Sequence, residues 1–537
     1  MPLRKSLIIT IVLAMLLVVN LSGCIFEDII AGTSFTLKSY EVDDYEGFPV
    51  LDLKFTFSDK VKLEMYDPYS NLLDTDFFYK SSNDEVSTEL NIGDYRKTVK
   101  SGTYNLKILN KKDKMISEEK FTFSQPEVSI DSCFQYWWKE TDSYRLIGLK
   151  INLQNTGDTP AYPYSADLEF QTKTINCLLL PKSITPDEED YVQCYFYDVD
   201  LPTTGTFNIS IKDADNSILA TNTYELDIQS NIFTKTYTSQ LENQIKLPYY
   251  DYLYNYYCEI PRITIDDYGL FVFDAYDDVF LEILLKKIRG SCDFGEFEFN
   301  LKSDEDKINY ITGFVQGLEY KKDSLVNESF EYPRYPVETV FNAEGGGDCE
   351  DKAILTASLL ELQGYDVALL RLPNHMAVGV NLSSQAINRY DHYIDNYYFL
   401  ETTTPDHRCG YIPDQHKSRD ELTVYPIQAR PLLYHEWKDG LITQYSNTEK
   451  GDFVKIIAYI QNLGDRKAEN ITFEGVFCTD QDYDINYKTI DIDVLEPGDI
   501  KKVVLDVEIP TNFNVKLKTR IYYENEIVDT EESSNYF

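Results

Sequence analysis

Basic residues are scarce in this chain of 537 residues. Fifty Lys and Arg stand against 90 Asp and Glu, which gives a formal net charge of -40. Such a charge excludes binding of nucleic acid over a large surface, because that binding depends on basic side chains that displace counterions. It also disfavours adsorption to anionic lipid headgroups, so any association with a membrane needs an anchor.

The composition is otherwise ordinary. With 43% hydrophobic and 26% charged residues, the chain is not disordered, collagen-like or a multi-pass membrane protein. Its length leaves room for about three to five domains.

The N-terminal apolar run is too short to cross a bilayer comfortably. Arg4 and Lys5 precede the 13 residues from Leu7 to Val19, whereas a membrane-spanning helix needs about 20. This pattern predicts a secretory signal over residues 1–24. Its Leu-Ser-Gly-Cys ending resembles the lipobox of prokaryotic lipoproteins, which implies a lipid on Cys24 and a place on the extracytoplasmic face of the cell membrane. The alternative is an uncleaved signal anchor in which Cys24 is incidental.

None of the nine cysteines forms a CxxC pair. This spacing excludes a zinc ribbon, and we predict neither a metal nor a cofactor. If Cys24 carries lipid and Cys349 is a nucleophile, an odd number remains, so disulfides cannot account for all of them. Cys177 and Cys194 are the pair to test first, with two buried free thiols as the alternative.

Short alternating runs separated by turn signals dominate residues 33–230, a pattern typical of antiparallel β-sandwiches. The run Lys150–Asp158 recurs as Ile456–Asp465, so two copies of one sandwich flank a different middle. Both copies resemble the adhesion-type, immunoglobulin-like modules of prokaryotic cell-surface proteins. We divide the chain into the signal peptide 1–24, β-sandwiches 33–125, 126–230 and 441–537, and a middle domain 231–440.

The middle domain shows helical periodicity. Apolar residues recur at helical spacing in Val279–Leu285 and in Ile308–Leu318, which predicts helices among strands and therefore an α+β domain.

Cys349 has the sequence context of a nucleophile. The run Gly345–Ala353 opens a predicted helix that stops at Gly364, so Cys349 lies in the first turn, where the helix dipole and free backbone N–H groups favour a thiolate. The glycines before it would let a substrate backbone approach closely. Two acids follow it, Glu350 and Asp351, so we expect a cationic partner for the sulfur.

His375 and Glu401 are the candidate partners of this cysteine. His375 begins one predicted strand and Glu401 ends another. If the two strands form a hairpin centred near residue 388, these positions are cross-strand neighbours. Glu401 would then orient one imidazole nitrogen while the other faces Cys349.

The run Gly347–Ala353, the histidine on the following strand and the Leu-Glu-Thr-Thr run resemble the transglutaminase-like superfamily of cysteine enzymes. Tyr332–Thr339 resembles its prokaryotic, protease-like branch. The resemblance spans residues 310–430 and implies a papain-like core with a Cys-His-acid triad, flanked by all-β immunoglobulin-like sandwiches. It departs from the family at Met376 and Ala377, where an aromatic is frequent after the histidine.

The identity of the orienting acid is a second departure. The family usually has aspartate where this chain has Glu401, so Asp391, Asp395 and Asp406 stay open as substitutes. Relatives also place a polar oxyanion donor on a helix upstream of the cysteine, which makes Gln316 the candidate here beside the backbone N–H of Cys349. A solvated helix glutamine is the alternative for Gln316.

A second histidine-containing cluster is less informative. His407, Cys409 and His416 share one loop, but their spacing fits no standard zinc motif.

These features predict a lipid-anchored, extracytoplasmic cysteine hydrolase, peptidase-like or amidase-like, that acts on peptide or isopeptide bonds of a polypeptide substrate through a thioacyl intermediate. A non-catalytic adhesion or scaffold protein that binds polypeptide is one alternative. A protein-crosslinking transglutaminase, with an amine as acceptor, is the other.

Overall fold

A computed structural model describes residues 33–537 except 80–81, 172, 198–199, 229–231, 240–244, 264, 292–298, 301, 324–331, 343–344, 383–389 and 448–450. The predicted signal peptide and Cys24 lie outside the described residues. Within that part of the chain, no helix is long and apolar enough to cross a membrane.

The expected fold class is wrong. Strands contain 50% of the residues and helices only 14%, and antiparallel sheets dominate, so the chain is an all-β multidomain fold rather than one built on an α+β papain-like core. The two periodic segments do form helices, Asp278–Gly290 and Asp304–Gln316. Periodicity reports which face of a segment is buried, and it does not report how large a share of the surrounding structure is helical.

The first sandwich packs a three-stranded sheet, ordered β1-β2-β5, on a four-stranded sheet, ordered β4-β3-β6-β7. Apolar side chains from both sheets form one buried cluster. The strands are β1 (Phe35–Tyr45), β2 (Phe48–Phe57), β3 (Val61–Tyr66), β4 (Leu72–Phe78), β5 (Ser82–Asn91), β6 (Gly102–Asn110) and β7 (Met115–Phe123).

The second sandwich packs two four-stranded sheets, ordered β11-β10-β13-β14 and β12-β9-β8-β15. They enclose a second apolar cluster. The strands are β8 (Val128–Glu140), β9 (Ser143–Asn155), β10 (Ser165–Phe170), β11 (Lys173–Leu178), β12 (Glu189–Tyr195), β13 (Thr206–Lys212), β14 (Ile218–Glu225) and β15 (Ile232–Phe233). Cys177 and Cys194 lie in this cluster as buried free thiols, which is the alternative to the disulfide.

The last sandwich begins at Leu433, earlier than the boundary placed at 441 from the sequence. Its sheets are ordered β24-β25-β28 and β27-β26-β29-β30. The strands are β24 (Leu433–Asn447), β25 (Gly451–Asn462), β26 (Ala468–Thr479), β27 (Asp484–Leu495), β28 (Ile500–Glu508), β29 (Val515–Tyr523) and β30 (Glu526–Glu532).

The repeated motif has the same structural task in the second and last sandwiches. Asn155 and Asn462 are both fully buried at the end of a strand. Asn155 Nδ2 donates to two backbone carbonyls at 2.8 and 2.9 Å, and Asn462 Nδ2 donates to the corresponding two at 2.7 and 3.0 Å. Each side-chain oxygen accepts the N–H two residues later. The motif therefore ties the turn after the strand to the facing loop.

The first and last sandwiches contact each other directly. Lys455 Nζ lies 2.5 Å from Asp76 Oδ1, and Lys502 Nζ lies 2.7 Å from Asp74 Oδ2. All four side chains are nearly inaccessible to solvent. Breaking such a buried pair by removing one partner leaves an uncompensated charge, so these contacts fix how the two sandwiches sit together.

The middle segment combines helices with a four-stranded antiparallel sheet, ordered β22-β21-β20-β23. Its elements are β16 (Thr236–Thr238), β17 (Lys246–Pro248), α1 (Asp251–Glu259), α2 (Leu270–Phe273), α3 (Asp278–Gly290), α4 (Asp304–Gln316), β18 (Glu319–Tyr320), α5 (Pro336–Phe341), β19 (Gly346–Gly347), α6 (Cys349–Leu362), β20 (Asp366–Leu372), β21 (His375–Asn381), β22 (Tyr397–Leu400) and β23 (Thr423–Ile427).

Helix α6 is the centre of this segment. Residues 350–360 are all buried, because α6 packs against the sheet strands β20 and β21 and against the other helices. The helix begins where Asp351 Oδ2 accepts the backbone N–H of Asp348 at 3.2 Å. It ends before Gly364, whose φ of 89° is in the left-handed region that favours glycine. A fully packed helix holds its first residue, Cys349, in a fixed position.

Candidate active site

Cys349 is the first residue of α6 and is half-buried. Its sulfur donates to Glu350 Oε2 at 3.2 Å and accepts the backbone N–H of Met376. Burial raises the pKa of the thiol well above its usual range, the Glu350 carboxylate raises it further, and the Met376 N–H opposes both only in part. The expectation of a resting thiolate is therefore wrong, because burial and an adjacent acid outweigh the helix terminus.

The glycines before Cys349 are needed because neighbouring parts of the chain pack directly against them. A Cβ on Gly346 would lie 2.1 Å from the backbone oxygen of Glu319, and one on Gly347 would lie 2.3 Å from Asp351 Oδ2. Gly346 also has a φ of 131°. These glycines allow β19 to run beside β18 and allow Asp351 to cap α6. The proposed approach of a substrate backbone is not what requires them.

His375 lies at the start of β21, after a tight turn in which Asn374 has a φ of 58°. Its Nε2 lies 3.2 Å from Glu401 Oε2, so the predicted contact is confirmed. The register is not the predicted one, since Val378 pairs with Leu400 and the next step would set Glu401 opposite Ala377. A difference of two residues keeps the same face of the sheet, so the contact forms diagonally.

Glu401 is only 2% exposed. The backbone N–H of Thr403 donates to Glu401 Oε1 at 2.8 Å, and the Thr403 hydroxyl donates to the same oxygen. Burial alone would raise the pKa of this carboxyl, but the hydrogen bonds from His375 and Thr403 lower it to about 2. Glu401 is therefore ionised at any physiological pH and fixes one nitrogen of His375.

The three substitute acids lie elsewhere. Asp391, Asp395 and Asp406 are all exposed, and it is Glu401 that contacts the ring. Glu401 is therefore the acid that holds this histidine.

Gln316 does not act as the resemblance implied. It is buried at the C-terminus of α4, and its Nε2 donates to the backbone oxygens of Glu401 at 2.8 Å and of His407 at 2.9 Å. An amide NH₂ has two hydrogens, and both are used. Gln316 therefore holds the segment after β22 in place, and it is neither a free oxyanion donor nor a solvated surface residue.

Arg334 and Asp351 form the support beneath the cysteine. Asp351 is fully buried, accepts the backbone N–H of Arg334 at 2.7 Å and forms an ion pair with the Arg334 guanidinium. Arg334 also lies 2.8 Å from Asp323. The aspartate of the Gly-x-Cys-x-Asp motif thus ties the start of α6 to the segment before α5. Sequence reasoning missed this role, although Arg334 stands in the Tyr332–Thr339 run.

Lys352 is a further buried group that sequence reasoning missed. It is fully inaccessible, and its Nζ donates to the backbone oxygens of Leu318 at 2.8 Å and Gln316 at 3.3 Å. Burial lowers the pKa of Lys352 to about 8. The side chain therefore joins α6 to the C-terminus of α4, whose last carbonyls would otherwise lack a donor.

His416 stacks on His375. The ring centroids lie 4.2 Å apart with an interplanar angle of 12°, and burial lowers the pKa of His416, with His375 adding to the effect. The sequence places His416 in one loop with His407 and Cys409. His407 instead packs on Tyr411, and Cys409 is buried in the apolar core.

Among the residues that the structure describes, two groups of side chains bring possible metal ligands within 4.8 Å of one another: His375, Glu401 and His416, and Asp323, Asp348 and Glu350. Ring nitrogens present their lone pairs in the ring plane. Two stacked imidazoles lie in nearly parallel planes, so their lone pairs do not converge on one ion. The second group has no such obstacle.

Comparison with known proteins adds little to this geometry. No family model and no curated protein matches the sequence. The structure is weakly similar to a red sea bream transglutaminase at 9% identity, covering 72% of this chain and 79% of that chain, with a TM-score of 0.16. A β-glucuronidase from glycoside hydrolase family 2 has 11% identity, covering 32% of this chain and 21% of that chain, with a TM-score of 0.17.

The YadV chaperone is similar at 8% identity, covering 36% of this chain and 99% of that chain, with a TM-score of 0.12. The chain spans about a fifth of the length of the β-glucuronidase. TM-scores this low carry no argument about fold or activity, so any function rests on the residues of this chain.

Proposed function

We propose that the chain is a cysteine hydrolase that cleaves peptide or isopeptide bonds of a polypeptide through a thioacyl intermediate, with Cys349 as nucleophile, His375 as base and Glu401 as the orienting acid. We propose further that it works outside the cytoplasm, anchored by lipid on Cys24. The short leader and its Leu-Ser-Gly-Cys ending support that location.

The observation that carries the proposal is that Glu401 contacts only one of the two ring nitrogens of His375. Glu401 holds Nε2 at 3.2 Å, which leaves Nδ1 as the nitrogen for proton transfer. The backbone N–H of the next residue, Met376, contacts the Cys349 sulfur. The strand that begins at His375 and the nucleophile at the start of α6 therefore adjoin.

The chemical steps follow from these positions. The Cys349 sulfur bonds to the substrate carbonyl carbon while its proton passes to His375 Nδ1. The backbone N–H of Cys349, in the first turn of α6, donates to the oxyanion. The C–N bond then breaks, the departing amine takes the proton from His375, and a thioester remains. Water, deprotonated by His375, attacks the thioester and releases the acid and the free thiol.

Since burial and Glu350 keep the thiol protonated at neutral pH, proton removal accompanies the attack and does not precede it. His375 is therefore required as a base and not only as a counter-ion. An amine in place of water would make the same steps a crosslinking reaction, and hydrolysis is favoured by the resemblance to the protease-like branch alone.

The same raised thiol pKa favours a second candidate function. A thiol that stays protonated suits a surface scaffold whose middle segment only binds polypeptide, with the sandwiches as spacers. The two functions differ in whether His375 changes the reactivity of Cys349.

Alkylation with iodoacetamide, followed by peptide mapping, distinguishes these functions. Cys258 is exposed in the same molecule and serves as an internal reference. For the hydrolase we expect Cys349 to react faster than Cys258 at pH 7 in the wild type, to lose this advantage in His375→Ala, and to keep it in the matched control His407→Ala. Slow labelling of Cys349 that His375→Ala does not change would support the scaffold.

A further inference from the structure

A second imidazole lies flat against the ring of His375. The ring centroids of His375 and His416 are 4.2 Å apart, and the two planes differ by only 12°. His375 is the first residue of β21, whereas His416 ends the short 3₁₀ helix Asp414–His416 in the loop before β23. Two segments that are distant in sequence therefore bring two flat rings into contact beside Glu401.

Glu401 fixes one atom of the His375 ring and leaves the plane of the ring undefined. Its Oε2 lies 3.2 Å from Nε2, and a ring can turn about a single hydrogen bond. The χ2 torsion of histidine is also soft, because it joins a tetrahedral carbon to a planar one. A flat neighbour against one face of the ring removes this freedom. His416 is such a neighbour, so it determines the direction in which Nδ1 points.

The ring of His416 is itself held in place. Tyr393 is fully buried, and its hydroxyl donates to the backbone oxygen of His416 at 2.8 Å and, more weakly, to that of Ser418 at 3.1 Å. The buried ring of Phe399, in β22, lies 6.1 Å from the His416 ring at an angle of 24°. Tyr393 also packs edge-on against Phe399. The sheet that carries His375 therefore supports the ring that stacks on it.

The stacked ring is uncharged at neutral pH. Burial lowers the pKa of His416 below its ordinary value, the charge of His375 lowers it further, and Glu401 opposes these effects only in part. The other charged groups of this turn, Asp414 and Lys417, are exposed and paired with each other. Two imidazolium rings in contact would repel each other. A neutral His416 is therefore compatible with a His375 that takes up a proton.

We propose that His416 is a positioning residue for the His375 base, and that its ring fixes the plane of His375 without taking up the proton of Cys349. The effect on turnover rests on the proposed hydrolase function, whereas the orientation of the ring can be measured without turnover. The competing role is that of a proton acceptor, because a nitrogen of His416 also lies within 4.8 Å of a Glu401 oxygen.

Two substitutions in the full-length protein separate these roles. His416→Phe keeps a flat ring and removes both nitrogens, whereas His416→Leu keeps apolar bulk without a flat face. With p-nitrophenyl acetate we expect His416→Phe to retain at least half of the wild-type kcat. His416→Leu should lower kcat about tenfold and change KM less than twofold, because misorientation of the base affects the chemical step. His407→Leu, which removes a histidine that packs on Tyr411, is the matched control and should leave both constants unchanged.

These rates decide between the roles. If His416→Phe is as slow as His375→Ala, His416 takes part in proton transfer and the proposal is overturned. If His416→Leu is as fast as the wild type, the flat face is not needed and the proposal is likewise overturned.

NMR of the ¹⁵N-labelled imidazole rings measures positioning without turnover. At pH 8.5, about two units above the ordinary pKa of histidine, His375 should show a single tautomer in the wild type, with the hydrogen on Nε2. His416→Phe should preserve this spectrum, and His416→Leu should give averaged shifts for the two nitrogens. A tautomer mixture in the wild type, or an unchanged spectrum in His416→Leu, overturns the proposal. The expected spectra in a wild type that hydrolyses no ester would support the positioning contact and count against the hydrolase alone.

Discussion

Two histidine–carboxylate pairs in the described part of the chain differ in the exposure of the ring and in the partner of its second nitrogen. In the last sandwich, His435 is fully buried, with Nδ1 2.7 Å from Asp529 Oδ2 and Nε2 2.7 Å from Thr519 Oγ1. In the middle segment, His375 is partly exposed, and Glu401 holds one of its nitrogens. A ring with both nitrogens hydrogen-bonded in a sandwich core is structural. A partly exposed ring that a carboxylate holds by one nitrogen, followed in its strand by a residue whose N–H contacts the Cys349 sulfur, has the arrangement of a base.

A histidine–acid contact is therefore not in itself evidence for catalysis. The distinguishing features are the second nitrogen and the exposure of the ring, and neither is visible in the sequence. Substitutions at both histidines and at the acids beside His375 and Cys349 test this contrast.

The largest effect is expected for His375→Ala. Loss of the general base should slow Cys349-dependent turnover of an activated ester by about 10³-fold, or about 4 kcal/mol of transition-state stabilisation. Release of p-nitrophenol measures the rate, and His407→Ala serves as the control. A decrease in rate of less than threefold would contradict a catalytic role for His375 and would indicate a structural role like that of His435.

His435→Ala should affect stability and leave turnover unchanged. It removes the two hydrogen bonds of the ring and leaves a cavity in a packed core, which should cost about 3 kcal/mol. Asp529 keeps its bond from the His435 backbone N–H, and Thr519 keeps its bond from Trp437 Nε1. Native-state hydrogen exchange of the last sandwich measures the loss. A fall in ester turnover comparable to that of His375→Ala would contradict the contrast between the two pairs.

Glu401→Gln should slow turnover by about ten- to thirtyfold, or about 2 kcal/mol, because a neutral amide orients His375 less well and does not stabilise the imidazolium. The pKa of Glu401 is about 2 in the folded protein, below its ordinary value. The stability from its ionised form is thus fully present above the ordinary value and is lost only as pH falls through about 2. Glu401 should therefore not titrate between pH 5 and pH 8, and a ¹³C chemical-shift titration of its carboxyl carbon that shows an inflection in this range would contradict the assigned ionisation.

Glu350→Gln should have the smallest effect and the opposite sign. The Glu350 carboxylate helps to raise the pKa of the Cys349 thiol, so its neutralisation should lower that pKa and raise the thiolate fraction. In metal-free buffer we expect alkylation of Cys349 at pH 7 to be about three- to tenfold faster, about 1 kcal/mol. Glu361→Gln is the matched control, and slower alkylation in Glu350→Gln would show that the acid assists the nucleophile.

Local regularities made part of this structure predictable. The repeated motif predicted two equivalent turns, and the side chains of Asn155 and Asn462 donate equivalent hydrogen bonds. The contact between His375 and Glu401 survived a register difference of two residues because strand faces alternate with a period of two.

The errors concern contacts between segments that are distant in sequence. Gln316 is committed to the carbonyls of Glu401 and His407, and Arg334 to Asp351, through packing that no spacing rule reveals. The resting state of Cys349 was misjudged because burial cannot be read from a helix start. The fold class failed because short helices were given too much weight beside long antiparallel sheets.

The most direct test of the central claim is the covalent state of the protein during turnover. Wild-type chain quenched in acid while it hydrolyses p-nitrophenyl acetate should carry one acetyl group on the peptide that contains Cys349. The acetyl group should be absent from that peptide in Cys349→Ala and strongly reduced in His375→Ala, with Cys258 unmodified throughout. An acetyl group found on Cys258, or wild-type turnover that persists in Cys349→Ala, would contradict the account.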